Sequence, residues 1–364
     1  MVMLSKRRSQ HDDVIHNLVK QGTEILDSLE GDDSFKLINT LLDISEGKMT
    51  IENERTHLVL RLVAMKESHG DIQGAATTSQ EISVEICNTL SPREKAEFLL
   101  EQIRLSQITG DYFRVPIYIN KMNFNTLSED NMEDLKEKYL DLCITQHVYD
   151  NDIFALYIDY ERLLSLPIYE LSVNDTDEER ECKEKERAKI VSYLCLLIIL
   201  TKYNADEINI LYKLLDTYKK TLEYIPIYND LLILFKNEEL IPSPLPQYQQ
   251  YIHHSLFTEK KFESRAEEWK ELLITRTIQH NIRILSKIFT RGRLSRFAEL
   301  LSLTEEETQS YITELVEDNI INLKINQLTG IIEFMTDKTN DVLLNEWSSN
   351  TKEIMSLIGK TSLL

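Results

Sequence analysis

Three helix-ending turns recur at forty-residue intervals in the first half of the chain, and no other feature constrains the fold as tightly. Leu58, Leu62 and Met65 lead to His69-Gly70-Asp71, after which Ile72, Ala75 and Ala76 open the next apolar segment. Phe98, Leu99, Ile103 and Leu105 lead in the same way to Thr109-Gly110-Asp111-Tyr112. In a third copy Leu140, Leu142, Cys143 and Ile144 precede Tyr149-Asp150-Asn151-Asp152, with Asp150 standing where glycine stood. Periods of about 34–47 residues belong to stacked two-helix repeats, in which glycine allows the tight turn and small residues let helices approach closely. The alternative is three unrelated hairpins with coincident spacing; the segment is helical on either reading. Ser91-Pro92-Arg93-Glu94 marks one helix start independently, with a hydroxyl cap, proline at the first helical position and a glutamate that completes a capping box.

Composition agrees with helices. The 364 residues, room for two or three packed units, include only 9 Gly and 7 Pro, which disfavours an all-β or Rossmann-type fold. With 42% hydrophobic residues the chain can bury a core, so wholesale disorder is excluded. Its 41 Lys and Arg against 61 Asp and Glu leave a net charge of −20, which repels phosphate backbones. Cys87, Cys143, Cys182 and Cys195 form no CxxC pair, so free thiols in a reducing compartment are expected. Lys6, Arg7 and Arg8 are followed by no apolar stretch of the secretory kind. Val191 to Leu200, the longest apolar run, is about half of what a membrane span needs and reads as a buried helix. Before it, Asp175 to Lys189 holds seven acids and five bases, the pattern of a solvated helix or loop, which makes Cys182 an exposed thiol.

The second half changes character at Ile241-Pro242-Ser243-Pro244-Leu245-Pro246, a connection that cannot be helix interior. Ile274, Ile278, Ile282, Leu285 and Phe289 then predict one long amphipathic helix, closed by Gly292. A short helix through Leu294, Phe297, Ala298, Leu300 and Leu301 follows. The capping box Thr304-Glu305-Glu306-Glu307 starts another helix, which ends at Asp318-Asn319. Ile321, Leu323 and Ile325 alternate, Thr329-Gly330 turns the chain, and Ile332 and Phe334 return as a second strand. Helix, short helix, capped helix and two-stranded wing make a winged-helix unit. From Asp341 a last helix carries Leu343, Leu344, Trp347, Ile354, Met355 and Ile358 on one side, the spacing of a bundle helix.

Catalytic patterns are missing. No GxxxxGK[ST], GxGxxG or HExxH occurs, so nucleotide hydrolysis and zincin chemistry are not expected. Cys143 and His147, four apart on a helix, suit a thiolate and base pair, but a buried structural cysteine is the commoner case. His253-His254 reads as a surface pair in a flexible connection, and His11 and His16 as ordinary residues. No catalytic residue, cofactor or metal site is assigned. The winged helix raises DNA binding, yet its second helix carries Glu305, Glu306, Glu307, Glu314, Glu317 and Asp318 and no base. The basic cluster of Arg283, Lys287, Arg291, Arg293 and Arg296 suits an acidic protein surface or the chain's own acidic faces better.

Helical repeats running into a winged helix and a terminal helix resemble the PCI-domain proteins of the proteasome lid, the signalosome and a translation initiation factor complex. Glu271-Leu272-Leu273 through Ile278-Gln279-His280-Asn281-Ile282-Arg283, Leu294 to Leu301, Ile331 to Phe334 and Leu343-Leu344-Asn345-Glu346-Trp347-Ser348 are similar to the lid's PCI-type non-ATPase subunit 12 family. Glu101-Gln102-Ile103-Arg104-Leu105 and Gly110-Asp111-Tyr112 are similar as well. Relative to that family the chain looks shortened at both ends. The resemblance implies a mostly α fold: a right-handed, TPR-like repeat arm over residues 1–240, a proline-containing connection over 241–265, the winged-helix part of the PCI domain over 266–337 and a terminal helix over 338–364. It implies a non-catalytic scaffold of the lid, serving ubiquitin-dependent degradation in the cytoplasm and nucleus. Its expected partners are other PCI-domain lid subunits and the lid deubiquitinase heterodimer, in a hetero-oligomer without nucleic acid or membrane. The signalosome is the alternative assembly and winged-helix nucleic-acid binding a further one. Contacts are expected through the wing residues Ile321, Leu323, Ile325, Ile332 and Phe334, with an open strand edge for β-augmentation, and through Leu343, Leu344, Trp347, Ile354, Met355 and Ile358.

Overall fold

The computed structural model describes residues 12–26, 32–45, 51–82, 90–122, 132–169, 177–203, 205–237, 239–242, 245–326 and 328–335, with residues 344, 347–348, 351–352, 354–355 and 358 beyond them. Leu343, His11, Cys87 and the Lys6 to Arg8 run lie outside the described residues. The chain divides into two compact units, Met1–Ile190 and Val191–Leu364.

The first unit is built from α1 (Asp12–Leu26), α2 (Asp32–Ser45), α3 (Glu52–Ser68), α4 (Ile72–Gln80), α5 (Pro92–Ile108), α6 (Val115–Lys121), α7 (Glu133–Asp150) and α8 (Ile153–Leu164). Successive hairpins share their cores. Leu58 and Leu62 of α3 pack with Val19, Ile38 and Leu41 before them, whereas Val59 and Val63 pack with Ala75, Ala76, Phe98 and Leu105 after them. The helix α5 repeats the device, giving Phe98 and Leu105 backwards and Leu99, Leu100 and Ile103 forwards onto Val115, Leu135 and Leu140. A helix buried on two sides needs apolar residues at adjacent positions, which is why α3 and α5 carry them in pairs.

The turns within the hairpins are Schellman motifs. Gly70 and Gly110 take φ of +83° and +78°, and the amides of Asp71 and Asp111 reach back to the Lys66 and Ser106 carbonyls, each at 2.9 Å. Open space surrounds the place where a Cβ would sit at both glycines, so the positive φ alone selects glycine there. In the third copy the left-handed residue is Asn151, at φ 57°, and not the Asp150 that the forty-residue spacing points to. The helix runs one residue longer, and Asn tolerates this region because its side chain is short and polar. Asp71 and Asp152 then cap the following helices through the amides of Gly74 and Ala155. The capping box expected at Ser91 is present, with Glu94 closing it. The hairpin α1/α2 is one that the turn spacing does not announce.

The helix α9 (Asp177–Leu200) contains the division between units. Residues 190–200 are all buried, while most of the mixed-charge stretch before them is exposed, Cys182 included. The second unit continues through α10 (Ala205–Thr217), α11 (Lys219–Tyr224), α12 (Pro226–Lys236), α13 (Tyr248–Ile252), α14 (Ser255–Thr258) and α15 (Ala266–Ile288). The described residues of its proline-containing stretch include buried ones, Ile241 and Leu245 among them. Asn281 exchanges two hydrogen bonds of 2.8 Å with the backbone of Ile241, and Tyr251, Leu256, Phe262 and Trp269 are buried. His254, expected at the surface, lies edge-on to Tyr193 and Tyr228; only His253 is exposed.

The winged helix follows as β1 (Arg291–Arg293), α16 (Leu294–Leu301), α17 (Glu305–Glu317), β2 (Leu323–Asn326) and β3 (Ile331–Phe334). The sheet has three strands in the antiparallel order β1-β3-β2, where the sequence suggests two. Gly292 does not close α15, which ends at Ile288 with an extended Phe289 as its cap. It pairs with Ile332 inside β1, and a Cβ there would stand 2.5 Å from the Phe297 ring, so close approach is what excludes a side chain. The capping box at Thr304 and the left-handed Asn319 fall where the sequence places them. One core joins Ile278, Ile282 and Leu285 to Phe297, Leu301, Ile312, Leu315, Ile321 and Ile332.

Candidate functional site

The wing residues singled out from the sequence are part of this core. Ile321 and Ile332 are buried, Leu323 and Ile325 pack half-buried against them, and the Phe334 ring meets Phe297 edge-on at 5.5 Å. Alternation along β2 turns Leu323 and Ile325 inward and Lys324 and Asn326 outward, as a one-sided strand requires. These side chains are committed to packing within the unit. The third strand takes one edge of the two-stranded wing: β3 is the central strand, covered by β1 on one side and β2 on the other. Among the described residues the outer edges of β1 and β2 have no further strand, that of β2 being flanked by the exposed Lys324.

The C-terminal segment presents the opposite case. Its described residues are all helical, and Leu344, Trp347, Ile354, Met355 and Ile358 are between 56% and 72% exposed. Leu344, Trp347, Thr351, Ile354 and Ile358 follow a three-four spacing, which puts them on one side of a helix. Full burial of each large apolar side chain is worth about 1.5–3 kcal/mol. Four of them, Leu344, Trp347, Ile354 and Ile358, share that spacing, and Met355 stands beside it.

The basic cluster is dispersed within the chain. Arg291 pairs with Glu333 across β1 and β3 at 3.2 Å, Arg296 with Glu299 at 2.8 Å, and Arg283 lies over the Tyr203 ring at 3.7 Å. The acids of α17 that were held against DNA binding are exposed, three of them in the first turn, where the helix dipole favours them.

Two side-chain pairs resemble catalytic ones, and geometry accounts for both. His254 Nε2 stands 2.7 Å from Ser192 Oγ. Its Nδ1 accepts the Leu256 amide, so the neutral ring carries its proton on Nε2 and cannot take one from the serine. In the first unit His147 Nδ1 meets the buried Asp159 at 2.7 Å. Burial opposes the charged ring and the Asp159 carboxylate favours it, with a net rise in the His147 pKa. Cys143 is buried, and burial together with Asp159 pushes its thiol up to about 12, so it stays protonated and serves packing. Among the described residues no cluster of His, Cys, Asp and Glu fit for a metal forms, and no helix is long and apolar enough to cross a membrane.

Comparison with known proteins matches residues 1–171 to the PSMD12/CSN4 N-terminal family and residues 249–336 to the PCI domain. Along its whole length the chain is 32% identical to 26S proteasome non-ATPase regulatory subunit 12 of Dictyostelium discoideum, spanning 78% of that protein. It is 28% identical to 26S proteasome regulatory subunit RPN5 of Saccharomyces cerevisiae, with 98% of this chain and 78% of the relative aligned. A 26S proteasome non-ATPase regulatory subunit 12 homolog of Arabidopsis thaliana is 27% identical over 98% of the chain and 84% of its own length.

Proposed function

The chain belongs to the 26S proteasome non-ATPase regulatory subunit 12 family, and from that premise we propose that its exposed C-terminal helix is the part that ties it to other lid subunits. The protein is a non-catalytic scaffold subunit of the proteasome regulatory lid, supporting ubiquitin-dependent degradation through protein contacts. One observation carries the assignment of the contact: the apolar side chains of the wing are used up in its own core, while those of the last helix face solvent.

The helix stripe enters a bundle with partner helices, and the β2 edge adds a second, backbone contact with a neighbouring PCI subunit. The lid deubiquitinase heterodimer is a partner on this reading. The cytoplasm and nucleus are the proposed compartments, in keeping with the free Cys143, Cys182 and Cys195. Placement in the signalosome instead has less support, since the three full-length relatives above carry proteasome names.

The test is affinity purification of the tagged full chain from its native cell, beside a variant with Leu344→Asp, Trp347→Asp and Ile354→Asp. Lid subunits should accompany the wild type and be lost from the variant, whose urea midpoint stays unchanged because the three side chains are already exposed. Retention of the lid by the variant overturns the helix contact. Capture of signalosome subunits alone moves the protein to that assembly.

A further inference from the structure

In the first unit the turns of the hairpins α5/α6 and α7/α8 carry large apolar side chains that the turn itself does not need. Counted from the left-handed residue, Gly110 in one and Asn151 in the other, Ile108 and Tyr149 stand two before it and Phe113 and Phe154 three after. Their exposures are 50%, 49%, 90% and 39%, and Ile117, four residues beyond Phe113, is 54% exposed. The hairpin α3/α4 makes the same turn around Gly70 with Ser68 and Gln73 at those two places, both polar and exposed. Single exposed apolar residues are ordinary, but a cluster repeated over adjacent hairpins marks an interaction surface.

The two turns are in contact. The Tyr112 and Tyr149 rings stack with centroids 4.0 Å apart and planes 10° from parallel, and Gln146 of α7 donates to the Tyr112 carbonyl at 3.3 Å and to Asp150 at 2.9 Å. Packed helices stand about 8–10 Å apart, so the apolar pair recurs at about that interval from α5/α6 to α7/α8. Carboxylates accompany it: Asp111 and Asp152 directly follow the left-handed residues, and Asp150 precedes the second. Asp111 is paired with Arg114 at 3.2 Å, whereas Asp150 accepts from the neutral Gln146 and Asp152 from the Ala155 amide, which leaves both charges in place. The turns are therefore apolar and net negative.

Spacing and charge together select the occupant. Residues seven apart in an α-helix rise about 10.5 Å and share a side, whereas residues three apart in an extended strand cover about the same distance and point to opposite sides. A polyproline helix has a suitable rise, but it docks into aromatic-lined grooves, and Tyr112 and Tyr149 are closed on each other. We propose that the turn edge of α5/α6 and α7/α8 receives a basic amphipathic helix of a partner protein. Its apolar side chains lie on Ile108, Phe113, Tyr149 and Phe154, and its Lys or Arg side chains face Asp150 and Asp152. This surface is independent of the terminal-helix contact.

Random peptides of about 18 residues, about five helical turns, are displayed on phage and selected on the purified full chain. They are counter-selected on the double variant Ile108→Ser, Phe113→Gln, which gives α5/α6 the residues that α3/α4 carries at those places. The surviving peptides should have a net positive charge and apolar residues at three-four spacing. A labelled synthetic copy of the most enriched one, read by fluorescence anisotropy, should bind the double variant at least about tenfold more weakly. Asp150→Asn should weaken it about threefold, an effect that high salt removes. Phe113→Gln alone, at a side chain almost wholly exposed, guards against loss through unfolding and should weaken binding at least about threefold. The variant Leu344→Asp, Trp347→Asp, Ile354→Asp should bind the peptide as the wild type does, which separates this test from that of the terminal helix. Enrichment of acidic or proline-rich peptides, a pool that binds the double variant equally well, or unchanged binding by Phe113→Gln overturns the proposal.

Discussion

The repeat hairpins of residues 12–164 and the winged helix of residues 266–334 are both built on apolar helices, yet they distribute their cores differently. In the repeats each core is shared by neighbours in sequence, and a helix such as α5 serves one core with Phe98 and the next with Ile103. In the winged helix a single core draws together Ile278, Phe297, Ile312 and Ile332, over fifty residues of chain. The first arrangement is nearly one-dimensional, so damage should stay near its origin. The second has no subdivision, so damage should spread through the unit.

A matched pair of phenylalanines tests this most severely. Phe98 is 1% exposed and Phe297 2%, and truncation of either to alanine should cost about 3–5 kcal/mol. Hydrogen exchange read by mass spectrometry should show Phe297→Ala removing protection from α15 through β3 together. With Phe98→Ala the loss should be confined to α3, α4 and α5 and leave α7 and α8 protected. Uniform loss across both units would break the contrast.

Two histidines should make the units respond to pH in opposite directions. In the second unit the folded pKa of His280 is depressed to about 4, so its contribution is present above the unfolded value of about 6.5 and is lost as pH falls, by roughly 3 kcal/mol at pH 4. In the first unit the folded pKa of His147 is raised, so its contribution is complete below about pH 6.5 and is lost as pH rises through the folded value. Exchange protection between pH 5 and 8 should therefore rise with pH in α15 and fall with pH in α7 and α8. His280→Gln should flatten the first trend and Asp159→Asn the second; an Asp159→Asn protein with unchanged slope would discard the ion-pair account.

The smallest effects separate two uses of glycine. Gly292→Ala drives a methyl into the Phe297 ring and should cost about 1–3 kcal/mol, with Phe297→Leu restoring part of the loss. Gly110→Ala meets open space but a φ of +78°, a cost of about 1–2 kcal/mol. Gly110→Asn should recover most of it, since Asn151 occupies the same position one repeat later. Urea midpoints of the four variants decide the matter.

Local chemistry was legible wherever one residue type answers one backbone demand. The capping boxes at Ser91 and Thr304, the turns at Gly70, Gly110 and Asn319, and the buried run before Leu200 needed no tertiary information. The one-residue error at Asn151 came from counting forty residues when the helix had grown by one. Gly292 was misread because a glycine after an apolar helix usually closes it, and only the Phe297 ring across the sheet reveals the other reason. Of the expected contact residues, burial divides the wing set from the terminal-helix set, although both look equally apolar in sequence.

The chain by itself therefore determined its helical class, its repeat spacing, the order of the winged helix and the absence of catalytic motifs, because these rest on periodicity and on residues adjacent along the backbone. Tertiary structure alone decided that β1 covers β3, that His254 is packed against Tyr193 and Tyr228, and that Tyr112 stacks on Tyr149. Those features depend on which surfaces meet, and a contact between residues tens of positions apart leaves no period in the sequence.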